Sequence, residues 1–319
     1  MEGRIRLHEA EKLEILTLQD NYVDVTVADN SAVISRAAPL KAGVFRNSVL
    51  AEHGFSAVVR VTVDGRVRTL LFDFGFSEFG AAYNAKVLGE DMSRVEVLAL
   101  SHGHSDHTGG FEKLAQMVGR EGIELFLHPA VYKAPRYLKL GEERKIYFPE
   151  FTRVMAEKAG VKVVEARTPG SLLDGAALFL GEIPRRTEFE KGFPIAHFQE
   201  GGVEKWDPIE DDTSIVMHVR GKGLVVLSGC AHSGIVNTVL YAREVTGVDQ
   251  VHVVMGGFHL SGPAFEPIIG RTTEELKKIN PAYIIPTHCT GRKAIMHMEQ
   301  AMPGKFILNM SGTKLTFAA

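Results

Sequence analysis

The sequence predicts an α/β fold, a four-layer αβ/βα sandwich in which helices flank two mixed β-sheets. The first observation behind this prediction is the order of elements, since strands with alternating polar and apolar residues are followed by buried strands that alternate with helices. The second is that this order occurs twice, which indicates two similar halves. The composition suits a folded protein, because 45% of the 319 residues are hydrophobic and 24% are charged.

The first half of the predicted fold begins with an alternating strand at 13–18. The segment from Asp20 to Asn47 reads as a long loop, and loops of this length in compact domains are usually functional. Asp64-Gly65 then marks a hairpin turn. In chain order, the next predicted elements are the hairpin strands 55–63 and 67–72, a helix at 76–88, a strand at 95–100, a helix at 110–118 and a strand at 123–127.

The second half follows a polar segment at 129–168 that is rich in Lys, Arg, Pro and Tyr. We interpret this segment as an insertion or lid with one helix near 151–159, inside a single domain that spans residues 1–319. In chain order, the later predicted elements are strands at 177–183, 214–219 and 224–227, a helix at 234–245, a strand at 250–255, a helix at 272–278, a strand at 282–285 and a helix at 292–301.

Charge and apolar content argue against several classes of protein. The formal net charge is −3 and Lys and Arg are spread along the chain, so there is no basic stripe for nucleic acid. The first residues lack an apolar signal core, and no later run reaches the roughly 18–20 apolar residues of a membrane span. We therefore expect a cytoplasmic protein without nucleic-acid or membrane partners. The sequence does not fix its oligomeric state.

The densest group of chemically active side chains lies where the predicted strand at 95–100 ends. His102, His104, Asp106 and His107 fall within six residues. In an extended segment the first two project to the same side and the last two follow at the turn, so two pairs of ligands address two neighbouring positions. Imidazole and carboxylate suit Zn²⁺ and its first-row neighbours, and a position left for water generates hydroxide near neutral pH. The alternative is a polar loop whose histidines cap the next helix.

This His-x-His-x-Asp-His string resembles the signature of the metallo-β-lactamase superfamily, and the upstream Asp73-Phe-Gly75 resembles the Asp-x-Gly element of that family. The resemblance implies the metallo-β-lactamase fold. It also implies one or two divalent metal ions, Zn first, with Mn or Fe as alternatives. Asp73 is then expected to bind a metal or to support one of its ligands.

In that family, two further histidines from later strand ends complete the metal centre. His232, His259 and His288 each follow a predicted buried strand. From order and context, we assign His232 to the ion bound by His102 and His104. We assign His288 to the ion bound by Asp106 and His107. We assign His259 to substrate contact or to the support of a ligand, with direct ligation as the alternative.

One residue departs from the family pattern. Gly229-Cys230 stands where many members have Gly-Asp, in which the aspartate bridges two metals. A thiolate also binds zinc, so Cys230 is either a further metal ligand or a small buried residue. Whether both metal positions are filled is therefore left open by the sequence. Cys289 is expected to be structural, and two cysteines without Cys-x-x-Cys spacing predict no disulfide framework.

Other segments narrow the resemblance to one branch of the superfamily. The ranges 51–56, 227–237, 256–260 and 286–291 resemble the 7,8-dihydropterin-6-methyl-4-(β-D-ribofuranosyl)aminobenzene-5'-phosphate synthase-like metal-dependent hydrolases. This resemblance covers nearly the whole chain apart from the predicted lid, and it implies a pterin-related function.

From these observations we expect a metal-dependent hydrolase, in which a metal-bound hydroxide attacks a phosphoester or another ester-like small molecule. Asp106 is predicted to orient this nucleophile in addition to binding metal. Arg185 and Arg186 follow a strand and are predicted to anchor a phosphate group of the substrate, because a guanidinium matches phosphate oxygens. His53 and His259 are further candidates for substrate contact.

Three other functions remain open at this stage. The first is a synthase reaction of the pterin type, in which metals activate a pyrophosphate leaving group and water is excluded. The second is a metal-containing protein that binds a ligand without turning it over. The third is redox chemistry, which in this superfamily uses extra carboxylate ligands and a flavin partner, and no Glu replaces His104 here.

Overall fold

The structure is a computed structural model that describes residues 4–38, 40–41, 43–45 and 48–319. These residues form 21 strands and seven α-helices. The strands are β1 (Glu9–Ala10), β2 (Lys12–Gln19), β3 (Ile34–Ser35), β4 (Leu40–Lys41), β5 (Val44–Phe45), β6 (Ser56–Val63), β7 (Arg66–Phe72), β8 (Val97–Ala99), β9 (Glu124–Leu127), β10 (Arg136–Lys139), β11 (Lys145–Tyr147), β12 (Lys162–Glu165), β13 (Gly170–Leu172), β14 (Ala177–Phe179), β15 (Ala196–Glu200), β16 (Val203–Trp206), β17 (Ser214–Val219), β18 (Gly223–Ser228), β19 (Val251–Gly256), β20 (Tyr283–Pro286) and β21 (Lys314–Ala318). The helices are α1 (Gly80–Leu88), α2 (Ser105–Thr108), α3 (Phe111–Val118), α4 (Arg153–Lys158), α5 (Ile235–Thr246), α6 (Ile269–Ile279) and α7 (Arg292–Ala301).

Two mixed sheets form the centre of the molecule. The first has the order β12-β9-β8-β7-β6-β2-β21-β3, and β7, β8, β9 and β12 run parallel in it. The second has the order β13-β14-β17-β18-β19-β20, with β1 beside β17, and β18, β19 and β20 run parallel. Each sheet therefore combines an antiparallel meander with a parallel part, as the repeated order of elements predicted.

The hairpin between β6 and β7 shows how local sequence sets the register. Asp64 and Gly65 both adopt positive φ, 48° and 72°, which a two-residue turn of this handedness requires. The turn pairs Val63 with Arg66, and the whole ladder down to Ala57 and Phe72 follows from it.

Alternation along the strands separates three apolar layers. In β7, Phe72 belongs to the core between the two sheets, whereas its neighbour Leu71 belongs to the core beneath α1 and α3. In β18, Val225 belongs to the central core and Val226 to the core beneath α5, α6 and α7. The layers therefore run helix, sheet, sheet, helix, and the predicted four-layer sandwich is confirmed.

The predicted lid at 129–168 divides into two parts in the structure. Its first part contributes β10 and β11 to a separate antiparallel sheet, hereafter the small sheet, with the order β11-β10-β15-β16. Its second part contains α4 and then β12, which pairs in parallel with β9 at the edge of the first large sheet. Only the first part is thus separate from the sandwich, because the chain returns to the sheet edge after α4.

The predicted loop from Asp20 to Asn47 contains three short strands. β3 pairs with β21, and β4 pairs with β5. Residues 39, 42, 46 and 47 of this loop lie outside the described residues. Within the described ranges, no helix combines the length and the apolar character that crossing a membrane requires.

Candidate metal centre

The parallel strands of both sheets end at the same edge of the sandwich, and the loops that follow them carry the candidate residues. Such strand ends are where α/β proteins place their ligands. Asp73 follows β7, and the His-x-His-x-Asp-His string follows β8 and continues into α2. His232 follows β18, His259 follows β19 and His288 follows β20. The topology thus collects side chains from five separate loops.

The turn of the string depends on glycine. A Cβ atom on Gly109 would lie 1.6 Å from the backbone oxygen of Phe76, which is far inside van der Waals contact. The backbone N–H of Gly109 instead donates to the oxygen of Gly75 at 2.9 Å. The glycines after the string therefore let the loop after β7 pack directly against it.

His102, His104 and His232 form the three-histidine group. One ring nitrogen from each lies within 4.8 Å of the others, and all three side chains are buried. Nε2 of His102 and both ring nitrogens of His232 have no hydrogen-bond partner among the described residues. Burial lowers the pKa of His104 to about 3 and lowers the pKa of the other two well below the usual value. Neutral rings with free lone pairs are the form that binds a metal ion, so this group fits one.

Asp106, His107, Cys230 and His288 form the four-donor group. Nε2 of His107 lies 3.1 Å from Sγ of Cys230 and 3.2 Å from Nε2 of His288, and these last two atoms are 3.2 Å apart. Oδ2 of Asp106 lies 3.5 Å from Nε2 of His107 and 3.6 Å from Nε2 of His288. A tetrahedral zinc with bonds of about 2.0–2.3 Å holds its donor atoms about 3.3–3.8 Å apart. The five distances come close to this spacing, so the group also fits an ion.

Cys230 lies among these donors rather than apart from them. Its side chain is buried, and burial raises the pKa of the Cys230 thiol well above its usual value. A thiol in such surroundings loses its proton when a cation stabilises the thiolate. Of the two alternatives that the sequence left open, this position favours ligation.

Asp73 supports the four-donor group from behind. Its Oδ2 lies 2.6 Å from Nδ1 of His107, and it accepts hydrogen bonds from the backbone N and the hydroxyl of Ser101, each at 2.7 Å. Burial alone would lower the pKa of His107, but Asp73 and Asp106 raise it well above the usual value. Of the two predicted roles for Asp73, its position fits the support of a ligand. It contacts Nδ1 of His107, while Nε2 of the same ring faces Cys230 and His288.

Asp20 plays a similar part for His288, and sequence reasoning missed it. Its Oδ1 accepts the backbone N–H of His288 at 2.8 Å, and Asn309 donates to its Oδ2 at 2.6 Å. Burial raises the pKa of Asp20 to about 6. The only signal in the sequence is that Asp20 directly follows a strand, which many surface residues share.

His259 and His53 lie beside the two groups. The ring of His259 is 4.2 Å from that of His232, and its nitrogen forms a third group of donor atoms within 4.8 Å with the sulfurs of Cys230 and Cys289. Nε2 of His53 lies 3.6 Å from Oδ2 of Asp106, and more than half of its side chain is exposed. His53 is therefore at the rim of the site, whereas His259 lies beside His232 and the two cysteines.

The two predicted phosphate anchors differ in position. Arg185 donates to the backbone oxygen of Pro208 and lies 3.5 Å from that of His232, and its buried Nε has no partner among the described residues. The guanidinium of Arg186 forms an exposed ion pair with Glu244 on α5. The structure brings Arg185 next to His232 and directs Arg186 toward α5 at the surface.

A pocket of about 490 Å³ opens beside the three-histidine group, next to His232 and His259. Its walls are mainly aromatic and aliphatic, from Phe189, Pro194, Trp206, Phe258, Leu260, Phe265 and Ile268. Phe193 stacks on His232 with an interplanar angle of 11° and contacts Phe265 with its edge. Lys191 is the lining residue with a cationic side chain, and it is exposed. The sequence did not indicate this pocket, because its walls come from loops distant in the chain.

The sequence of this chain is similar to those of known proteins. Residues 52–288 match the metallo-beta-lactamase superfamily. Two proteins of Methanocaldococcus jannaschii are similar in sequence. The 7,8-dihydropterin-6-methyl-4-(beta-D-ribofuranosyl)-aminobenzene-5'-phosphate synthase is 33% identical over 258 residues, 78% of this chain and 85% of that protein. The uncharacterized protein MJ0448 is 29% identical over 257 residues, 78% of this chain and 88% of that protein.

One solved structure is similar over almost the whole chain. The crystal structure of Tm1679, a metal-dependent hydrolase of the beta-lactamase superfamily, aligns with a TM-score of 0.71. It covers 96% of this chain and 100% of that protein at 24% sequence identity. At this identity the likeness concerns the fold alone.

Proposed function

The chain belongs to the metallo-β-lactamase superfamily, and on this premise we propose that it is a metal-dependent hydrolase of a phosphoester or related ester bond in a small molecule. The observation that carries the proposal is the pair of adjacent donor groups at one edge of the sandwich, in which three buried imidazole nitrogens have no partner among the described residues. Unpartnered polar atoms in a buried site are costly unless a ligand binds them.

Two divalent ions, zinc first, would be held by the three-histidine group and the four-donor group. When bound, such ions lower the pKa of water and polarise the oxygen of an electrophilic group. The three-histidine group offers three protein donors and so leaves room for water or substrate. The four-donor group supplies a full set of four, which is the pattern of a closed zinc site.

The surrounding residues supply orientation. Asp106 lies at the boundary between the four-donor group and the solvent, with 14% of its side chain exposed, so its free oxygen is available to accept a hydrogen bond from an attacking water. His53 lies next to it at the rim and is available to a leaving group. Phe148 of the small-sheet segment stacks on His104, with ring centroids 4.4 Å apart, and its position favours a lid that excludes water from this side.

The pocket suggests the class of substrate. Aromatic walls bind planar rings through stacking and edge contacts. Lys191 lines this pocket with an exposed ammonium group. Arg185 lies beside His232, and its buried Nε has no partner among the described residues. Both cations would attract an anionic group on such a ring. We therefore propose a phosphorylated small molecule with a planar ring, and no nucleic-acid or membrane partner.

A second candidate is a pterin-type synthase that displaces pyrophosphate. The similar protein of M. jannaschii bears the name of such a synthase, and the aromatic pocket suits a pterin ring. In this reaction the same residues would hold the diphosphate, while the acceptor amine or carbon would take the place of water.

One experiment distinguishes the two. The zinc-loaded protein is incubated in ¹⁸O-labelled water with a pterin-methyl diphosphate, with and without an aminobenzene riboside phosphate, and in parallel with phosphodiesters. Hydrolysis predicts label in the products without the second substrate, whereas synthesis predicts a joined, unlabelled product only with it. The control is His232→Ala, which removes one donor of the three-histidine group. Zinc-loaded wild-type protein that turns over none of these compounds would contradict both candidates.

A further inference from the structure

Gly103, the residue between the first two histidines of the string, is held by side chains from elsewhere in the fold. Its backbone N–H donates to Oδ2 of Asp211 at 2.8 Å. A Cβ atom on Gly103 would lie only 3.0 Å from Nη1 of Arg136 and 2.7 Å from the backbone oxygen of Val131. Glycine therefore lets the backbone between two donors approach a buried ion pair.

Arg136 and Asp211 form that ion pair. Nη1 of Arg136 donates to Oδ2 of Asp211 at 2.8 Å, and Nη2 donates to Oδ1. Asp207 lies on the other side, with Oδ2 2.8 Å from Nε of Arg136. Burial alone would raise the pKa of Asp211, but Arg136 lowers it, so the carboxylate stays charged. A charged acceptor makes the hydrogen bond from Gly103 stronger than a neutral one would.

Arg136 also belongs to the small sheet, at the start of β10. Its backbone oxygen accepts the N–H of Phe148 at 3.0 Å, and Phe148 stacks on His104 with an interplanar angle of 14°. The small sheet therefore contacts the string twice, once through an aromatic ring and once through the ion pair.

We propose that Arg136 and Asp211 are a positioning pair that fixes the backbone of the three-histidine group from the small sheet, so that the metal affinity of this group depends on residues that bind no metal. This inference rests on the proposed metal centre. Partners outside the ligand set commonly change metal affinity by about 10–100-fold. The four-donor group is supported by Asp73 and Asp20 instead, so its metal affinity should not change when the Arg136–Asp211 pair is disrupted.

The test compares Asp211→Leu with its matched control Asp207→Leu in the full-length protein. Both variants remove a buried carboxylate from Arg136 and have similar volumes, but only the first removes the acceptor for Gly103. Zinc affinity is measured by competition with a chromophoric chelator. The ion whose binding is lost in His232→Ala is the one held by the three-histidine group. We expect Asp211→Leu to weaken that ion about 10–100-fold and to leave the other unchanged, whereas Asp207→Leu leaves both within about threefold.

Several results would overturn the inference. The first is an equal loss of zinc affinity in Asp211→Leu and Asp207→Leu, and the second is unaltered zinc affinity in Asp211→Leu. The third is a weaker binding of the remaining ion when Asp211→Leu is added to His232→Ala. If circular dichroism shows that Asp211→Leu does not fold, Asp211→Asn is compared with Asp207→Asn instead. We then expect a severalfold loss of zinc affinity in Asp211→Asn only. Wild-type protein that binds no zinc would overturn the proposed function as well, so the two failures are distinguishable.

Discussion

The sulfur of Cys230 lies 3.1 Å from Nε2 of His107, and the two residues follow strands of different sheets of the sandwich. His107 follows β8 of the first sheet and Cys230 follows β18 of the second, so their approach depends on the packing of the two sheets. The central core between the sheets is therefore what brings a thiol and an imidazole to the spacing of zinc ligands.

Cys230→Ser should weaken binding at the four-donor group, because a neutral hydroxyl is a poorer zinc ligand than a thiolate. The measurement is the absorption of the Co²⁺-substituted protein. We expect a near-ultraviolet sulfur-to-cobalt band in the wild type, its loss in Cys230→Ser, and its retention in Cys289→Ser. A band that survives in Cys230→Ser would show that this sulfur is not a ligand.

Asp73→Asn should lower metal affinity without removing any donor. The amide can still accept from Ser101, but it no longer offers a charged partner to Nδ1 of His107. A loss of about 10–100-fold in the zinc affinity of one ion is expected, measured by chelator competition. Retention of wild-type affinity would count against the supporting role of Asp73.

Arg185→Ala and Arg186→Ala should differ, although the two residues are neighbours in sequence. If Arg185 holds an anionic group, its loss should raise KM for a phosphorylated substrate by about 10–100-fold, the range of a charge-assisted hydrogen bond. Arg186→Ala should leave KM unchanged, because its side chain pairs with Glu244 at the surface. Steady-state kinetics of both variants check this, and equal effects would refute the assignment.

Phe265→Ala should raise KM about tenfold for a substrate with a planar ring, because it removes an aromatic wall of the pocket. The same change should matter little for a small phosphoester without a ring. Phe79→Ala is the control, since Phe79 is 68% exposed and is not among the residues that line this pocket. Identical effects on both kinds of substrate would mean that the ring does not bind in this pocket.

The candidate site was predictable where its signal is local. The His-x-His-x-Asp-His string is contiguous, and His232 and His288 each follow a buried strand, so the sequence predicted residues that the structure brings together. Both large sheets were predictable for the same reason, because strand periodicity and the Asp64-Gly65 turn are properties of short segments.

What the sequence did not indicate depends on contacts between distant segments. The small sheet pairs β10 with β15, whose strands are only four and five residues long and lie far apart in the chain. The acceptor role of Asp211 requires Gly103, 108 residues away. Arg186 was predicted to anchor phosphate, but its side chain pairs with Glu244 of α5, a partner 58 residues away in the chain.

The two-group metal centre is tested most directly by the metal content per chain of the purified wild-type protein, His232→Ala and His288→Ala, measured by elemental analysis after loading with zinc. Each variant removes one donor from one group and leaves the other group intact. We expect two zinc ions in the wild type and one in each variant. Wild-type protein that takes up no zinc, or variants that keep both ions, would contradict the two-group metal centre.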